Sequence, residues 1–291
     1  MIERLLIYGV GLIGGSVALA LKQAGAVGEV IGVGRSRANL DLARTRGIVD
    51  RIAEDVEAAA AEADLILLAL PVGAMAKAFA RIAPALGDKT VVTDAGSTKQ
   101  DVIAAARAAL GPRIGQFVPA HPIAGAEHSG AAAARADLYR GRSVIVTPLP
   151  ENAAAAREQV AALWRACGAQ VVEMAADAHD RLFAAVSHLP HLAAFALVDE
   201  LAGRPLAEQY FRHAGSGFRD FTRIAASSPE MWRDVALANR AALLAELEAY
   251  QARLDRYRAA LAAADGDTLL QSFSQASAAR RRWSPSTEND V

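Results

Sequence analysis

Apolar residues in the first 174 positions come in short runs, with helix-like stretches between them. The runs at 4–8, 30–33, 65–70, 91–94, 144–147 and 171–174 predict strands. The spacing between them predicts helices at 13–24, 39–46, 74–83, 100–109 and 152–167. Residues 65–70 (LILLAL) are apolar at every position, so both faces of that strand should be buried. Alternating strand and helix predicts an α/β fold, with a Rossmann-type doubly wound parallel sheet over residues 1–174. After Met174 only helical periodicity remains. Between 239 and 264, Leu243, Leu247, Tyr250, Leu254, Tyr257 and Leu261 recur at alternating spacings of four and three. That seam packs helix on helix, either within a small bundle or across a homodimer. A helical appendage over 175–282 has few partners for so many apolar faces, which favours the dimer. The polar end from Arg280 is expected to fray, with 283–291 as a tail.

Composition narrows the classes. The chain has 291 residues, 53% hydrophobic and 22% charged, with a formal net charge of −1. It is too apolar to be disordered, and a near-neutral balance offers no global field for nucleic acid or an anionic membrane. The single cysteine, Cys167, excludes an internal disulfide framework and any multi-cysteine zinc site. Its place on an apolar helix face reads as a small buried hydrophobe. The uncharged stretch 5–21 superficially matches a secretory core, but Gly9, Gly11, Gly14 and Gly15 interrupt it. No other segment is read as long enough to span a bilayer. The expectation is a cytoplasmic chain without membrane contact.

The same glycines carry chemistry. Gly9-Val10-Gly11-Leu12-Ile13-Gly14 follows an apolar strand and opens a helix, as a dinucleotide-binding loop requires. Gly9 makes the turn, Gly11 lets the backbone approach a pyrophosphate, and Gly14 lets helix and strand pack closely. The amides at Leu12 and Ile13 and the next crossover, Leu70-Pro71, complete the expected cofactor contacts. An NAD-binding loop has an acid at the end of the second strand. Here that position is Gly34, followed by Arg35, Ser36 and Arg37. Guanidinium and hydroxyl groups would accept a 2′-phosphate, which predicts NADP over NAD.

Two further loops fall beyond the carboxyl ends of strands, where ligands bind in open α/β sheets. One is 94–99 (DAGSTK) and the other 121–127 (HPIAGAE). His121 could take a proton from a substrate hydroxyl as hydride leaves the same carbon, and Ser97 could orient it. His188 and His191, three apart, could instead join Asp180 or His179 around a metal. Arg219 and Arg223 are four apart, on one side of a predicted helix. Pro190 is read as a kink or start that aims His191 inward.

Five stretches in this order, GVGLIGGS at 9–16, DAGSTK, HPIAGAE, SHLPH at 187–191 and GFRDFTRIAASSPEMW at 217–232, resemble the prephenate/arogenate dehydrogenases of tyrosine biosynthesis. The resemblance implies a Rossmann domain followed by an all-helical dimerisation domain, and no metal. It implies oxidative decarboxylation of a cyclohexadienyl ring with hydride transfer to NAD(P), giving 4-hydroxyphenylpyruvate or tyrosine. His121 then matches the catalytic histidine, and Ser97 the serine that contacts it and the substrate. Arg223 matches the arginine that holds a substrate carboxylate, and Arg219 could meet the second. His191, Asp180 and Glu127 would line the pocket or its entrance, and Trp232 would be the aromatic that a partner subunit contributes near it. Gly34 departs from the NAD-using members, which carry Asp there. Two other readings stand beside this one: a hydroxy-acid or imine reductase of the same layout, and a non-catalytic dinucleotide-sensing dimer. Many hydroxy-acid enzymes use a catalytic lysine in the helical domain, whereas every lysine here precedes residue 100.

Overall fold

The computed structural model describes residues 1–125 and 128–283. Six strands form one parallel sheet: β1 (Ile2–Tyr8), β2 (Val27–Val33), β3 (Arg51–Ile52), β4 (Leu65–Leu68), β5 (Val91–Asp94) and β6 (Phe117–Val118). Their order is β3-β2-β1-β4-β5-β6, so the strand order reverses between β1 and β4. Such a reversal opens a crevice at the carboxyl ends of the strands. Both faces are buried, as the apolar runs require. Leu5, Ile7, Leu65 and Leu67 enter one core, while Leu6, Ile66, Leu68 and Val92 enter the other.

The expectation of one sheet needs correction. Residues 144–147 and 171–174 do form strands, β8 (Ser143–Val146) and β9 (Gln170–Glu173), but these belong to a second sheet. Its third member, β7 (Ala120–Pro122), pairs antiparallel to β8 and places His121 opposite Ile145. His121 therefore sits on a strand rather than in a loop. The first sheet is completed instead by β3 and β6, two residues each, which are too short to leave a periodic signal.

Helices α1 (Leu12–Gln23), α2 (Arg37–Thr45), α3 (Val56–Glu62), α4 (Met75–Ile82), α5 (Gln100–Leu110) and α6 (Ala154–Ala166) connect the strands. Cys167 ends α6 and is buried, which pushes its thiol up to about 12 and leaves it an unreactive hydrophobe. Beyond β9 the described residues are helical. They comprise α7 (Ala176–Phe183), α8 (Leu189–Ala202), α9 (Ala207–Arg212), α10 (Ser216–Thr222), α11 (Pro229–Ala238), α12 (Arg240–Ala262) and α13 (Gly266–Arg282). Between α7 and α8 lies one π-helical turn, Ala184–His188. Pro190 explains it: its ring cannot donate to a carbonyl and crowds the preceding turn, so the helix widens there. The run Ala176–Ala202 is long and apolar enough to cross a membrane, a length the sequence reading did not find beyond residue 21. Its polar residues His179, Asp180 and His188 are buried among protein groups in the site described below.

The chain divides into two compact units, Met1–Leu243 and the residues from Leu244 onward. In the second, Tyr257 meets Phe273 edge-on at 5.5 Å, and Asp265 caps α13 through Thr268. Helix α13 continues through Arg280–Arg282, where three cations suit the negative end of the helix dipole. The expected fraying at Arg280 is therefore not seen, and positions 284–291 lie outside the described residues. The seam of α12 is exposed over most of its length, Leu254 by 45% and Leu261 by 67%.

Candidate active site

The site starts at the crevice between β1 and β4. Gly9 has a φ of 106°, and a Cβ there would lie 2.2 Å from the carbonyl oxygen of Ala69. Gly14 is as constrained, since its Cβ would lie 2.4 Å from the Gly9 carbonyl oxygen and 2.7 Å from Ile7. Gly11 differs: a Cβ there would meet no protein atom within 4 Å. Gly11 also caps α1 without a side-chain acceptor, so the first amides of the helix, including Leu12 and Ile13, face outward. Two glycines serve the protein's own packing and one keeps a cradle open at a helix N-terminus, which fits a pyrophosphate. Leu70 and Pro71 border this loop, Leu70 Cδ2 lying 3.1 Å from the Gly9 Cβ position.

At the end of β2 the four expected contacts separate. A Cβ on Gly34 would touch only Leu40, at 3.5–3.9 Å, so no steric demand excludes a side chain there. Arg35 is exposed. Ser36 is the cap of α2, its hydroxyl accepting from the Asn39 amide. Arg37 is drawn to two acids, Asp41 at 2.9 Å and Glu54 at 3.6 Å. The pairing of Arg37 was not foreseen, and it weakens that residue as a phosphate ligand.

Beyond β5, the DAGSTK turn is organised by a buried ion pair. Lys99 Nζ lies 2.5 Å from Asp94 Oδ2 and donates to the carbonyl of Ala120 at 2.6 Å. Asp94 Oδ1 accepts from the Ala120 amide at 2.9 Å. Both side chains are fully buried. The pair thus clamps β5 to β7 directly beside His121.

The His121 ring is partly exposed and packs edge-on against Phe183 at 4.9 Å. Its Nδ1 is hydrogen-bonded to His179 Nε2 at 2.8 Å, and His179 Nδ1 to Asp180 Oδ1 at 2.8 Å. Burial, reinforced by His179, Lys99 and His188 nearby, holds the His121 imidazole well below the usual histidine range. Ser97 lies on the same turn, partly exposed, with its backbone toward His188. The hydrogen bond at His121 Nδ1 is made with His179, a partner the sequence reading did not give it.

Asp180 also needs correction. It is 2% exposed, and its carboxylate accepts from the Lys99 and Gln100 amides at 2.8 and 2.9 Å. It therefore caps the start of α5 from across the fold and does not line the pocket. His188 is buried as well, its Nδ1 3.1 Å from Asn239 Nδ2, and burial pushes its pKa down to about 4. His191 is hydrogen-bonded to the Ser187 carbonyl at 2.9 Å and stacks on Trp232 at 3.5 Å. Trp232 thus serves a histidine of its own chain, where the sequence reading assigned it to the partner's pocket. Among the described residues no cluster of three or more metal-ligating side chains forms.

Arg223 lies close enough to His191 to disfavour its charged form, after burial. Arg219 does not share that placement. Helix α10 stops at Thr222 and Arg223 opens a 3-10 turn. Arg219 is 80% exposed and 3.8 Å from Asp220. Glu127 lies outside the described residues. An apolar cavity of about 230 Å3 shares His188 and Trp232 with the site but lacks His121, Ser97 and Arg223. His179, Asp180, Lys99 and His188 gather around His121, which makes it the candidate reactive centre.

Comparison with known proteins identifies the family. Residues 17–173 match the prephenate dehydrogenase nucleotide-binding domain, and 175–275 the prephenate dehydrogenase dimerization domain. A cyclohexadienyl dehydrogenase of Zymomonas mobilis is 38% identical over 280 residues, covering 96% of this chain and 95% of the relative. A prephenate dehydrogenase of Bacillus subtilis is 35% identical, covering 95% of this chain and 75% of its own. The crystal structure of A. aeolicus prephenate dehydrogenase, in complex with hydroxyphenyl propionate and NAD+, superposes with a TM-score of 0.90 at 33% identity, covering 97% and 98% of the two chains. The chain belongs to the prephenate dehydrogenase family.

Proposed function

We propose that the protein catalyses oxidative decarboxylation of prephenate, arogenate or both, with hydride transfer to a nicotinamide dinucleotide. The observation that carries this is His121, a neutral imidazole with one nitrogen anchored in the protein, beside the turn that follows β5. A dinucleotide held at the Gly11 cradle and the N-terminus of α1 would supply the hydride acceptor for C4 of the substrate ring. His121 Nε2 accepts the proton of the 4-hydroxyl as that carbon is oxidised. The bond from C1 to the carboxylate then breaks, its electrons enter the ring, CO2 leaves, and the phenolate oxygen takes the proton back from His121 to give the phenol. Arg223 holds a carboxylate of the substrate through paired hydrogen bonds. Purified protein supplied with either substrate and either nucleotide should form reduced nicotinamide and CO2 in equal amounts. Absence of turnover with both substrates would remove this reading and return the reductase and sensor readings.

Arg223→Ala should raise KM by about tenfold to a hundredfold, from the roughly 1.5–3 kcal/mol of a hydrogen bond to a charged group. Steady-state kinetics check it, and an unchanged KM would place Arg223 outside the pocket.

The same reading includes NADP as the preferred dinucleotide. Its support is the missing acid at Gly34 and the exposed guanidinium of Arg35; Arg37, paired with acids, contributes less. Because Gly34 has ordinary space around it, Gly34→Asp should fold normally. It should raise the KM for NADP relative to NAD by about tenfold, corresponding to roughly 1.4 kcal/mol. A wild-type preference for NAD would contradict the assignment. A homodimer and a cytoplasmic location complete the proposal. For the dimer the support is the exposed α12 seam together with the dimerization-domain match.

A further inference from the structure

His121, His179 and Asp180 form a chain whose proton positions can be worked out from the far end. Asp180 Oδ1 accepts from the Lys99 amide and Oδ2 from the Gln100 amide. Backbone amides can only donate, so both carboxylate oxygens act as acceptors, an arrangement that favours the ionised form of Asp180. Burial alone would raise its pKa, but hydrogen bonds from His179, Gln100 and Lys99 together hold it below the ordinary value. The nitrogen of His179 facing this carboxylate must then be Nδ1–H. His179 is fully buried, and that burial lowers its pKa and keeps the ring neutral near pH 7. Its Nε2 is consequently a lone pair. The only hydrogen available to the 2.8 Å contact with His121 is the one on His121 Nδ1. His121 Nε2 is left unprotonated.

We infer that His179 is a positioning residue for the reaction: backed by Asp180, it selects the tautomer of His121 whose Nε2 is the base. This rests on the assignment of His121 as the proton acceptor. In the step itself the substrate O–H bond breaks and the Nε2–H bond forms. His121 Nδ1–H goes on donating to His179 Nε2, and His179 Nδ1–H to Asp180 Oδ1. No proton travels along the chain; the new imidazolium is stabilised by a fixed acceptor with a buried carboxylate behind it. That carboxylate opposes Lys99, whose charge disfavours a cation at His121, as would any charge on His188. Phe183 covers both rings, at 4.9 Å from His121 and 4.5 Å from His179. An apolar residue at 179 would fill the same space. What the imidazole adds is a directed acceptor.

The first test needs no substrate. In the resting enzyme labelled with 15N-histidine, the His121 resonances can be assigned by their loss in His121→Asn. They should show a protonated Nδ1 and an unprotonated Nε2. The reverse tautomer would overturn the inference even if the enzyme turns over prephenate, whereas inactivity with the expected tautomer would fault only the proposed reaction. The second test compares His179→Leu with His179→Gln, whose amide carries both an acceptor and a donor. Leu should lower kcat by about tenfold to a hundredfold, less than the full 10²–10⁴ of a general-base contribution because the base itself remains. Substrate KM should hold within a few-fold, and His121 should become a mixture of tautomers. Gln should restore much of kcat and the single tautomer. Equal losses in the two variants with the tautomer unchanged would reduce His179 to a packing residue.

Discussion

His121→Asn is expected to lower kcat by about 10²–10⁴, the usual size of a general-base contribution, with KM for the substrate within a few-fold of wild type. The reasoning joins position and protonation. The ring stands on β7, held from behind by His179 and flanked by Phe183, and its other nitrogen has no partner among the described residues. An asparagine can still hydrogen-bond a hydroxyl but cannot take its proton at neutral pH. The pH profile supplies the sign. Because burial depresses the His121 pKa, the neutral base persists as pH falls below the ordinary histidine value of 6.5. Wild-type kcat/KM should therefore lose activity only as pH falls through that lowered value, and the variant should lack this limb. Near-normal kcat in the variant would move the base elsewhere.

Lys99→Met should destabilise the protein by about 3–5 kcal/mol, the cost of leaving a buried charge without its partner. Lys99 and Asp94 are both fully inaccessible, and the methionine side chain is of similar length but uncharged. The Gly96 and Ala120 amides would still donate to Asp94, but no cation would remain beside it. Loss of the Ala120 contact also loosens β7 next to His121, so kcat should fall with stability. Thermal and denaturant unfolding measure the first effect. A change below about 1 kcal/mol, typical of exposed pairs, would contradict the burial argument. The double substitution with Asp94→Leu should not restore stability fully, because the Gly96 and Ala120 amides would then lose their acceptor.

Local features of the site were legible in the sequence and distant pairings were not. Gly9, Gly11 and Gly14 act within one turn, so their spacing after an apolar run was enough to assign each a role. The buried strand β4 and the buried part of β1, residues 5–7, were equally visible as apolar runs. The second sheet was not, because β7 has three residues and owes its existence to pairing with β8 across the chain. His179 was missed as the partner of His121 for the same reason: 58 residues separate them. Asp180 was recognised as important but given the wrong task, since a carboxylate capping a helix 80 residues away looks in sequence like any polar residue near a site. Arg219 was paired with Arg223 by helical spacing, and the switch to a 3-10 turn at Arg223 left no sign in residue type. Arg37 is paired with Asp41, a partner four residues on that the spacing did offer.

The central claim is that hydride leaves C4 of the ring as its hydroxyl gives up a proton at His121. Substrate carrying deuterium at C4 tests it most directly. The label should appear in the reduced nicotinamide, with one CO2 released per label transferred. Deuterium retained in an aromatic product, or released to solvent, would contradict the account.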